Sequence, residues 1–547
     1  MSIVEFKKVL TAQLKEALAS LGIQEENFQI TAGKSPEHGD YSTNIALVLS
    51  KKLKQSPVDL ANLIKGKLPS SSEFYKEVTV TNPGFINFTL SEKFLRQSVK
   101  IITEKGEEYG KETRDEKQTA MIEFVSANPT GPLTVGHGRQ AVLGDIIANI
   151  LSCYGFDVTR EYYFNDAGRQ MRLLGESVYY RYLEILGEKA EFPEGGYEGE
   201  YIKDIAQQIN DSHGDSLKDK PTDPIFRSSA EESIFQNIKN TLEQIGIRFD
   251  NFVNEQIFYD NGAIENVLKV LRKKDMLYES EGATWLKTTE SGKEQDTVLV
   301  KSSGEPTYRL PDIAYHEDKI NRDIDLIVDL LGADHKDATP DVLFALGLLG
   351  YSTENIKVLF HQFVTLKQKG EVVKMSTRKA TYVTLDDLIE QVGADVVRYF
   401  FIMRNMQSHL NFDLDLATKE SDENPVYYLQ YAHARIANII KYGKESGLEF
   451  ENEADLGLIK EPAEIALMKA LIQLPEVMQS AVITMEPQQI ANYLQEVANR
   501  FHKFYSECRV VTEDTALSSA RLLLISATKN ILANGLKILG INAPERM

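Results

Sequence analysis

TAMIEFVSANPTGPLTVGHGRQAVLGDIIANILSCYGFDVTREYYF (119–164) is the stretch from which the fold is read. Its first run, TAMIEFV (119–125), is apolar and has the length of a buried strand. A turn rich in Pro and Gly follows. Then come a segment long enough for a helix, HGRQAVLGDIIANILSCYG (137–155), and a second strand-like run, VTREYYF (158–164). Strand, turn, helix, strand is the start of a parallel βαβ unit. Open parallel sheets bind ligands at the carboxyl ends of their strands, and the turn NPTGPLTVGHGR (128–139) falls at that edge. Pro129, Gly131 and Pro132 bend it sharply, and Gly136 lets backbone approach a ligand closely. His137 stands at the helix start, where free N–H groups and the helix dipole favour phosphate.

Downstream, IDLIVDLL (324–331) and IKVLFHQF (356–363) read as further buried strands, and the acidic stretch 187–225 as an insertion over the surface. From about residue 406 the chain turns helical. PAEIALMKALIQLPEVMQSAV (462–482) and ALSSARLLLISATKNILANGLKILG (516–540) are long amphipathic stretches of a bundle. Upstream, the charged linker EKGEEYGKETRDEKQ (104–118) marks a boundary. Before it, Ile3, Phe6, Leu10, Leu14 and Ala17 form the apolar face of a helix, and EVTVTNPGFINFTL (77–90) is strand-like. The expected organisation is an α+β N-terminal domain (1–112), an α/β central domain with an insertion (113–405) and an all-α C-terminal domain (406–547).

A chain of 547 residues holds about three domains. With 42% hydrophobic and 26% charged residues it has the make-up of a soluble globular protein, and no apolar run is long enough to span a bilayer. Its two cysteines, Cys153 and Cys508, suit a reducing, cytoplasmic compartment, with no disulfide framework and no Cys-based metal site. The net charge of −20 argues against nonspecific nucleic-acid binding, yet a local basic patch can still grip phosphates.

A second motif lies in VVKMSTRKATYVTLDDL (372–388), where Lys374, Ser376, Arg378 and Lys379 follow a loop beginning at Lys369-Gly370. A cationic loop of this kind closes over a triphosphate and stabilises charge on a pyrophosphate leaving group. Val-Gly-His alone is a common tripeptide, and a basic turn alone is usually solvated. In this order the two segments resemble the paired signatures of class I aminoacyl-tRNA synthetases, an H-x-G-H turn and a K-M-S-K-S loop on a Rossmann-type domain. Thr134 stands where the first His is usual and Thr377 where the second Lys is usual; Arg378 or Lys379 is positioned to supply the missing charge.

Within that class the chain is similar to the arginyl-tRNA synthetases over nearly its whole length. The resemblance rests on EFVSANPTGPLTVGHGR (123–139), EYYFNDAG (161–168), NPVYYLQYAHARI (424–436), FHKFYSECRV (501–510), the terminal APERM (543–547), KSPEHGDYSTNIA (34–46) and NPGFINF (82–88). It implies ligation of L-arginine to tRNA(Arg), with ATP and Mg2+ but no tightly bound metal or organic cofactor, and a C-terminal bundle that binds the anticodon. It further implies no membrane, a monomer, and tRNA bound before arginine is activated. By the same resemblance Thr134, Gly136, His137, Lys374, Met375, Ser376 and Arg378 bind ATP. His137, Lys374 and Ser376 are the catalytic residues among them, His137 stabilising phosphate and not acting as a general base. Glu255, Tyr308 and Asp312 face the guanidinium, while Glu123, Ser126 and Asn128 hold the α-amino and carboxylate end. Asp334 and His335 belong to the same pocket. Asn82, Phe85 and Asn87 match positions that read an exposed base at the tRNA elbow, and Tyr431, Arg435 and Arg509 face the anticodon stem.

Arginine makes physical sense of the carboxylates. A guanidinium has five donors in a rigid plane and keeps its charge. A pocket of matched acceptors rejects lysine because acceptors are then left unpaired. Three rival readings stand beside this one. Another class I synthetase, for example for cysteine, lacks its Cys/His zinc cluster here. A nucleotidylyltransferase with an H-x-G-H turn is generally far shorter. A tRNA-binding paralogue with impaired catalysis is kept open by Thr134 and Thr377.

Overall fold

The computed structural model describes residues 2–24, 27–33, 38–112, 116–189, 191–373, 383–448 and 454–547. In the first region α1 (Ile3–Ser20) starts in a capping box between Ser2 and Glu5 and buries Ile3, Phe6, Leu10, Leu14 and Ala17. Phe6 meets the rings of Tyr41, Phe74 and Phe94. Strands β1 (Ile30–Ala32), β2 (Tyr41–Thr43), β3 (Tyr75–Thr81) and β4 (Phe85–Leu90) form an antiparallel sheet in the order β1-β2-β4-β3. Helix α2 (Glu92–Lys105) closes the region.

The central sheet is parallel throughout. β5 (Gln118–Glu123) leads into α3 (Val135–Cys153) and returns as β6 (Phe156–Phe164), as the opening stretch predicts. Helix α3 buries residues around its whole circumference, because the sheet lies on one side and the C-terminal helices on the other. It rides close on its strand: a Cβ at Gly144 would sit 2.2 Å from the Phe124 ring. Three helices follow, α4 (Gly168–Ile185), α5 (Glu200–His213) and α6 (Pro224–Gln244), before β7 (Asn251–Asn254). The acidic stretch 187–225 is thus more than a surface insertion. Within it, α5 buries Ile202, Ile205, Ala206 and Ile209.

A small antiparallel sheet, β8 (Leu277–Ser280), β9 (Ala283–Leu286) and β10 (Thr297–Val300), precedes α7 (Arg309–Ile320). The central sheet is then completed by β11 (Leu326–Gly332) and β12 (Ile356–His361), in the order β12-β11-β5-β6-β7. The strand order reverses at β5, which makes the carboxyl end of β5 the switch point where such sheets bind ligands. Beyond it β13 (Val364–Gln368), β14 (Glu371–Val372) and β15 (Leu410–Asp413) form a short sheet, with α8 (Leu385–Val392) between the last two.

The C-terminal bundle comprises α9 (Pro425–Glu445), α10 (Pro462–Leu471), α11 (Leu474–Thr484), α12 (Gln488–Glu507) and α13 (Thr515–Ile538). The stretch 462–482 is two helices, not one. The break falls at Ile472-Gln473, and Pro475 sits in the first turn of α11, where its missing N–H costs nothing. The N-terminal region packs on this bundle. Asn534 donates to the carbonyls of Gly106 and Tyr109, Lys469 pairs with Asp40 at 2.6 Å, and the Tyr41 hydroxyl donates to Glu476 at 2.7 Å. A buried guanidinium, Arg398, joins α3 to the chain end. It bonds Asp145 at 2.6 Å and the Leu539 carbonyl at 2.8 Å. Among the described residues no helix is long and apolar enough to cross a membrane.

Candidate active site

The chain leaves β5 through two residues with left-handed backbone, Val125 (φ 67°) and Ser126 (φ 44°). A β-branched residue in that region stores strain, about 1–3 kcal/mol, and must be held there by its surroundings. Hydrogen bonds from neighbouring residues hold it. Ser126 Oγ donates to Glu123 Oε1 at 2.8 Å and accepts the Tyr163 N–H at 3.2 Å. The Tyr162 hydroxyl donates to the Ala127 carbonyl at 2.8 Å and accepts the Ala127 N–H at 3.2 Å. Asn128 Oδ1 accepts the Asn165 N–H at 2.9 Å. The turn is thereby laid over the end of β6.

Thr134 caps α3. Its Oγ1 accepts the His137 N–H at 3.4 Å, while its own N–H donates to His137 Nδ1 at 3.2 Å. Nδ1 is therefore an acceptor, and the proton of the neutral ring lies on Nε2. Burial pushes the His137 pKa below its ordinary value, which favours that neutral form. The residue that departs from the family signature thus serves as the reciprocal cap that orients the histidine.

Two segments 250 residues apart in sequence meet here. Thr134 and Thr384 pair as an isolated β-bridge, and the Leu385 N–H donates to the Leu133 carbonyl at 2.8 Å. Gly138 is required by this approach: a Cβ there would lie 2.6 Å from the Leu385 side chain. Lys374, Met375, Ser376, Thr377, Arg378 and Lys379 lie outside the described residues. Arg139, one residue beyond Gly138, is buried and donates to four carbonyls: Gln362 at 2.8 Å, Ser408 at 3.0 Å, Asn405 at 3.1 Å and Phe401 at 3.4 Å. It fastens the turn to the segments that lead into β13 and β15.

Three carboxylates converge beside the turn. Glu255, at the end of β7, is 6% exposed. Its Oε2 accepts the Tyr163 hydroxyl at 2.8 Å, and its Oε1 accepts Asn165 Nδ2 at 2.6 Å and the Tyr259 hydroxyl at 3.4 Å. Burial raises its pKa despite these donors. Asp312, in the first turn of α7, is raised to about 7, chiefly by desolvation; His316 opposes the shift, and the Glu123 and Glu255 carboxylates add to it. Tyr308 lies one turn earlier on α7 and is 71% exposed. Glu123 spends both oxygens, one on Ser126 and the other on the buried Lys319 ammonium, which also bonds Asp329 at 2.7 Å. Asp334 and His335 sit on a single 3-10 turn after β11, exposed at that edge.

Sequence reasoning missed Tyr163, Asn165 and Tyr259, which hold Glu255, and His316 and Lys319 beneath Asp312. Signals for some of them exist. Residues 163 and 165 alternate on one face of a strand, and residues 308, 312, 316 and 319 share one face of a helix.

The expected tRNA contacts divide. Asn82 is exposed, and the partly buried Phe85 ring lies 6.2 Å from that of His38. Asn87 is 1% exposed and donates to Thr81 Oγ1 at 3.0 Å, so it braces the β3–β4 hairpin, out of reach of a base. Tyr431, Arg435 and Arg509 come together. They line one groove of about 760 Å³ with Tyr442, Tyr505 and Met547. The Arg435 guanidinium lies 4.5 Å from the Tyr431 ring and 5.0 Å from that of Tyr505.

Comparison with known proteins gives the family. Three family models match in chain order. They are the arginyl-tRNA synthetase N-terminal domain over 7–90, the catalytic domain of class I tRNA synthetases (R) over 98–440, and the DALR anticodon-binding domain over 429–547. The arginine–tRNA ligase of Salinibacter ruber is 47% identical, covering 99% of this chain and 100% of its own. That of Chlorobium phaeovibrioides is 49% identical, covering 98% and 99%. The solved structure of the Thermus thermophilus arginyl-tRNA synthetase has the same fold, with a TM-score of 0.77 at 23% identity over 99% of this chain and 100% of that one.

Proposed function

The chain belongs to the arginyl-tRNA synthetase family, and on that premise we propose how its residues divide the work. It ligates L-arginine to tRNA(Arg): arginine reacts with ATP to give arginyl-adenylate and pyrophosphate, and the arginyl group then passes to the tRNA with release of AMP. The other class I synthetases and a catalytically impaired paralogue are disfavoured by the full-length match to arginine–tRNA ligases.

The observation that carries the assignment is the convergence of buried Glu255 with Asp312 at the carboxyl edge of the sheet, the edge at which His137 stands at a helix start. Glu255, Asp312 and the exposed Tyr308 take the guanidinium. Ser126, Asn128 and Glu123 face the α-amino and carboxylate end, with Glu123 held by Lys319. His137 donates from Nε2 to the phosphates, and the Gly136 backbone leaves room for them. Thr134 contributes by holding His137. Lys374, Met375, Ser376 and Arg378 close over the triphosphate, and Mg2+ accompanies ATP, held by its phosphates. Arginine's carboxylate attacks the α-phosphorus directly, so positioning and charge stabilisation supply the catalysis.

Tyr431, Arg435 and Arg509 offer stacking and charge at the anticodon stem, while at the elbow Phe85 offers a stacking face and Asn82 an amide for hydrogen bonds. The division into 1–112, 113–405 and 406–547, a monomeric state and a cytoplasmic location complete the proposal. Arginine-dependent ATP–pyrophosphate exchange, with and without tRNA(Arg), tests it. Exchange that needs both supports the site and the tRNA-first order. Exchange without tRNA removes that order, and exchange driven by another amino acid overturns the pocket.

A further inference from the structure

His316 lies on α7 directly beneath Asp312 and faces two acceptors. Its Nδ1 is 2.7 Å from the Asp312 carbonyl oxygen. A carbonyl only accepts, so Nδ1 carries a proton. Its Nε2 is 2.9 Å from Asp329 Oδ2, and the other oxygen of Asp329 takes the Lys319 ammonium at 2.7 Å. A carboxylate in a buried ion pair with lysine is ionised and only accepts, so Nε2 carries a proton as well. A ring with both nitrogens protonated is a cation.

We propose that His316 is a largely buried imidazolium whose charge keeps Asp312 ionised for the arginine guanidinium, and is thus a positioning residue for the amino-acid substrate. The proposal rests on the reading of Asp312 as a guanidinium acceptor. Every element around the ring contributes charge. Asp312, Tyr315 and Lys319 come from α7 itself, Asp329 from β11 and Glu123 from β5, while Glu255 at the end of β7 acts on Asp312. Four carboxylates in one buried cluster cannot all stay ionised against a single lysine. With a neutral group at 316, Asp312 takes up a proton and loses its capacity to accept from a guanidinium. Burial and Lys319 push the His316 pKa down, yet the pair with Asp329 and the nearby Glu123 hold it above its ordinary value, in keeping with the geometry.

Two measurements on the full-length enzyme test this. In protein labelled with 15N-histidine, the His316 ring is identified as the signal lost in His316→Gln or His316→Asn. At pH 7.5 both nitrogens are expected to show imidazolium shifts; a neutral tautomer overturns the proposal, and the measurement is made on the unmutated enzyme. In tRNA-supported pyrophosphate exchange at pH 7, His316→Gln is expected to raise KM for arginine about fivefold, the effect of a one-unit rise of the Asp312 pKa from about 7, with KM for ATP unchanged. The acid limb of kcat/KM for arginine, set by Asp312, is expected to move up by about one pH unit in the variant. An unchanged KM for arginine in His316→Gln, where Asp312→Asn raises it, overturns the role of His316 alone. An unchanged KM in Asp312→Asn overturns the reading of Asp312 and this inference with it.

Discussion

Around Glu255 three neutral donors surround a carboxylate that is 6% exposed, while around Arg435 a guanidinium lies between two half-open tyrosine rings. The first region has its polar groups bonded before a ligand arrives; the second has π-faces and a cation occupying one another. The difference matches the ligand proposed for each, a guanidinium for the first and a nucleobase for the second. A small rigid cation is selected by desolvated acceptors whose positions are fixed in advance, because an unpaired buried acceptor is costly. A base presents a flat face and is held by stacking, which works on an open surface and tolerates some play.

The sharpest way to break this comparison is Glu255→Gln. It removes one charge-assisted contact and leaves Tyr163 and Asn165 in place, so KM for arginine in pyrophosphate exchange should rise roughly a hundredfold, about 2.7 kcal/mol. Affinity for tRNA should stay as it was, and a parallel loss of tRNA binding would mean that the two regions are not separate devices.

The pH dependence comes next. Asp312 titrates at about 7 in the empty site and must be ionised to accept a guanidinium. Below pH 7, kcat/KM for arginine should therefore fall about tenfold per unit, because one proton must leave on binding. The fall is fully developed only below the folded value. The His502 ring, stacked on Tyr431, is pushed below its ordinary pKa by burial and should leave tRNA affinity level above pH 6.5. Filter binding of tRNA across the same pH series checks the contrast.

From the other side, Tyr431→Ala removes the ring over which Arg435 lies. It should weaken tRNA binding five- to tenfold, about 1–1.4 kcal/mol, with KM for arginine at saturating tRNA unaltered. The smallest effect separates a third element. Thr134→Ala deletes the α3 cap and should lower stability by about 1 kcal/mol in denaturant melts, with Thr134→Ser near neutral. Because the cap also orients His137, KM for ATP should rise in the alanine variant alone.

Much of this was legible in the residues. β5, α3 and β6 follow from apolar runs and a Pro/Gly turn, and the site falls where such a sheet changes direction. The split between α10 and α11 was also written in the chain, since Pro475 cannot lie deep inside a helix, but the apolar stripe of 462–482 runs on across it. The acidic composition of 187–225 masked four apolar residues at helical spacing. What stayed hidden were contacts between elements. Tyr163 and Asn165 reach Glu255 across about 90 residues, and Lys319, which looks like a surface charge in HEDKI, is wholly buried between β5 and β11. Their partners are set by strand register and helix phase, which no local pattern encodes.

Arg139 carries one more consequence. All four of its acceptors are main-chain carbonyls, so it recognises the path of the chain at 362, 401, 405 and 408 and is indifferent to the side chains there. As far as this joint is concerned, side-chain changes at those four positions are invisible, although Phe401 is held by the core and Asn405 by Glu486 for reasons of their own. The whole cost of that tolerance falls on a single codon. Lysine at 139 would offer three donors from one point instead of a planar fork, so relatives of this chain can rewrite the partners of the joint far more readily than the arginine itself.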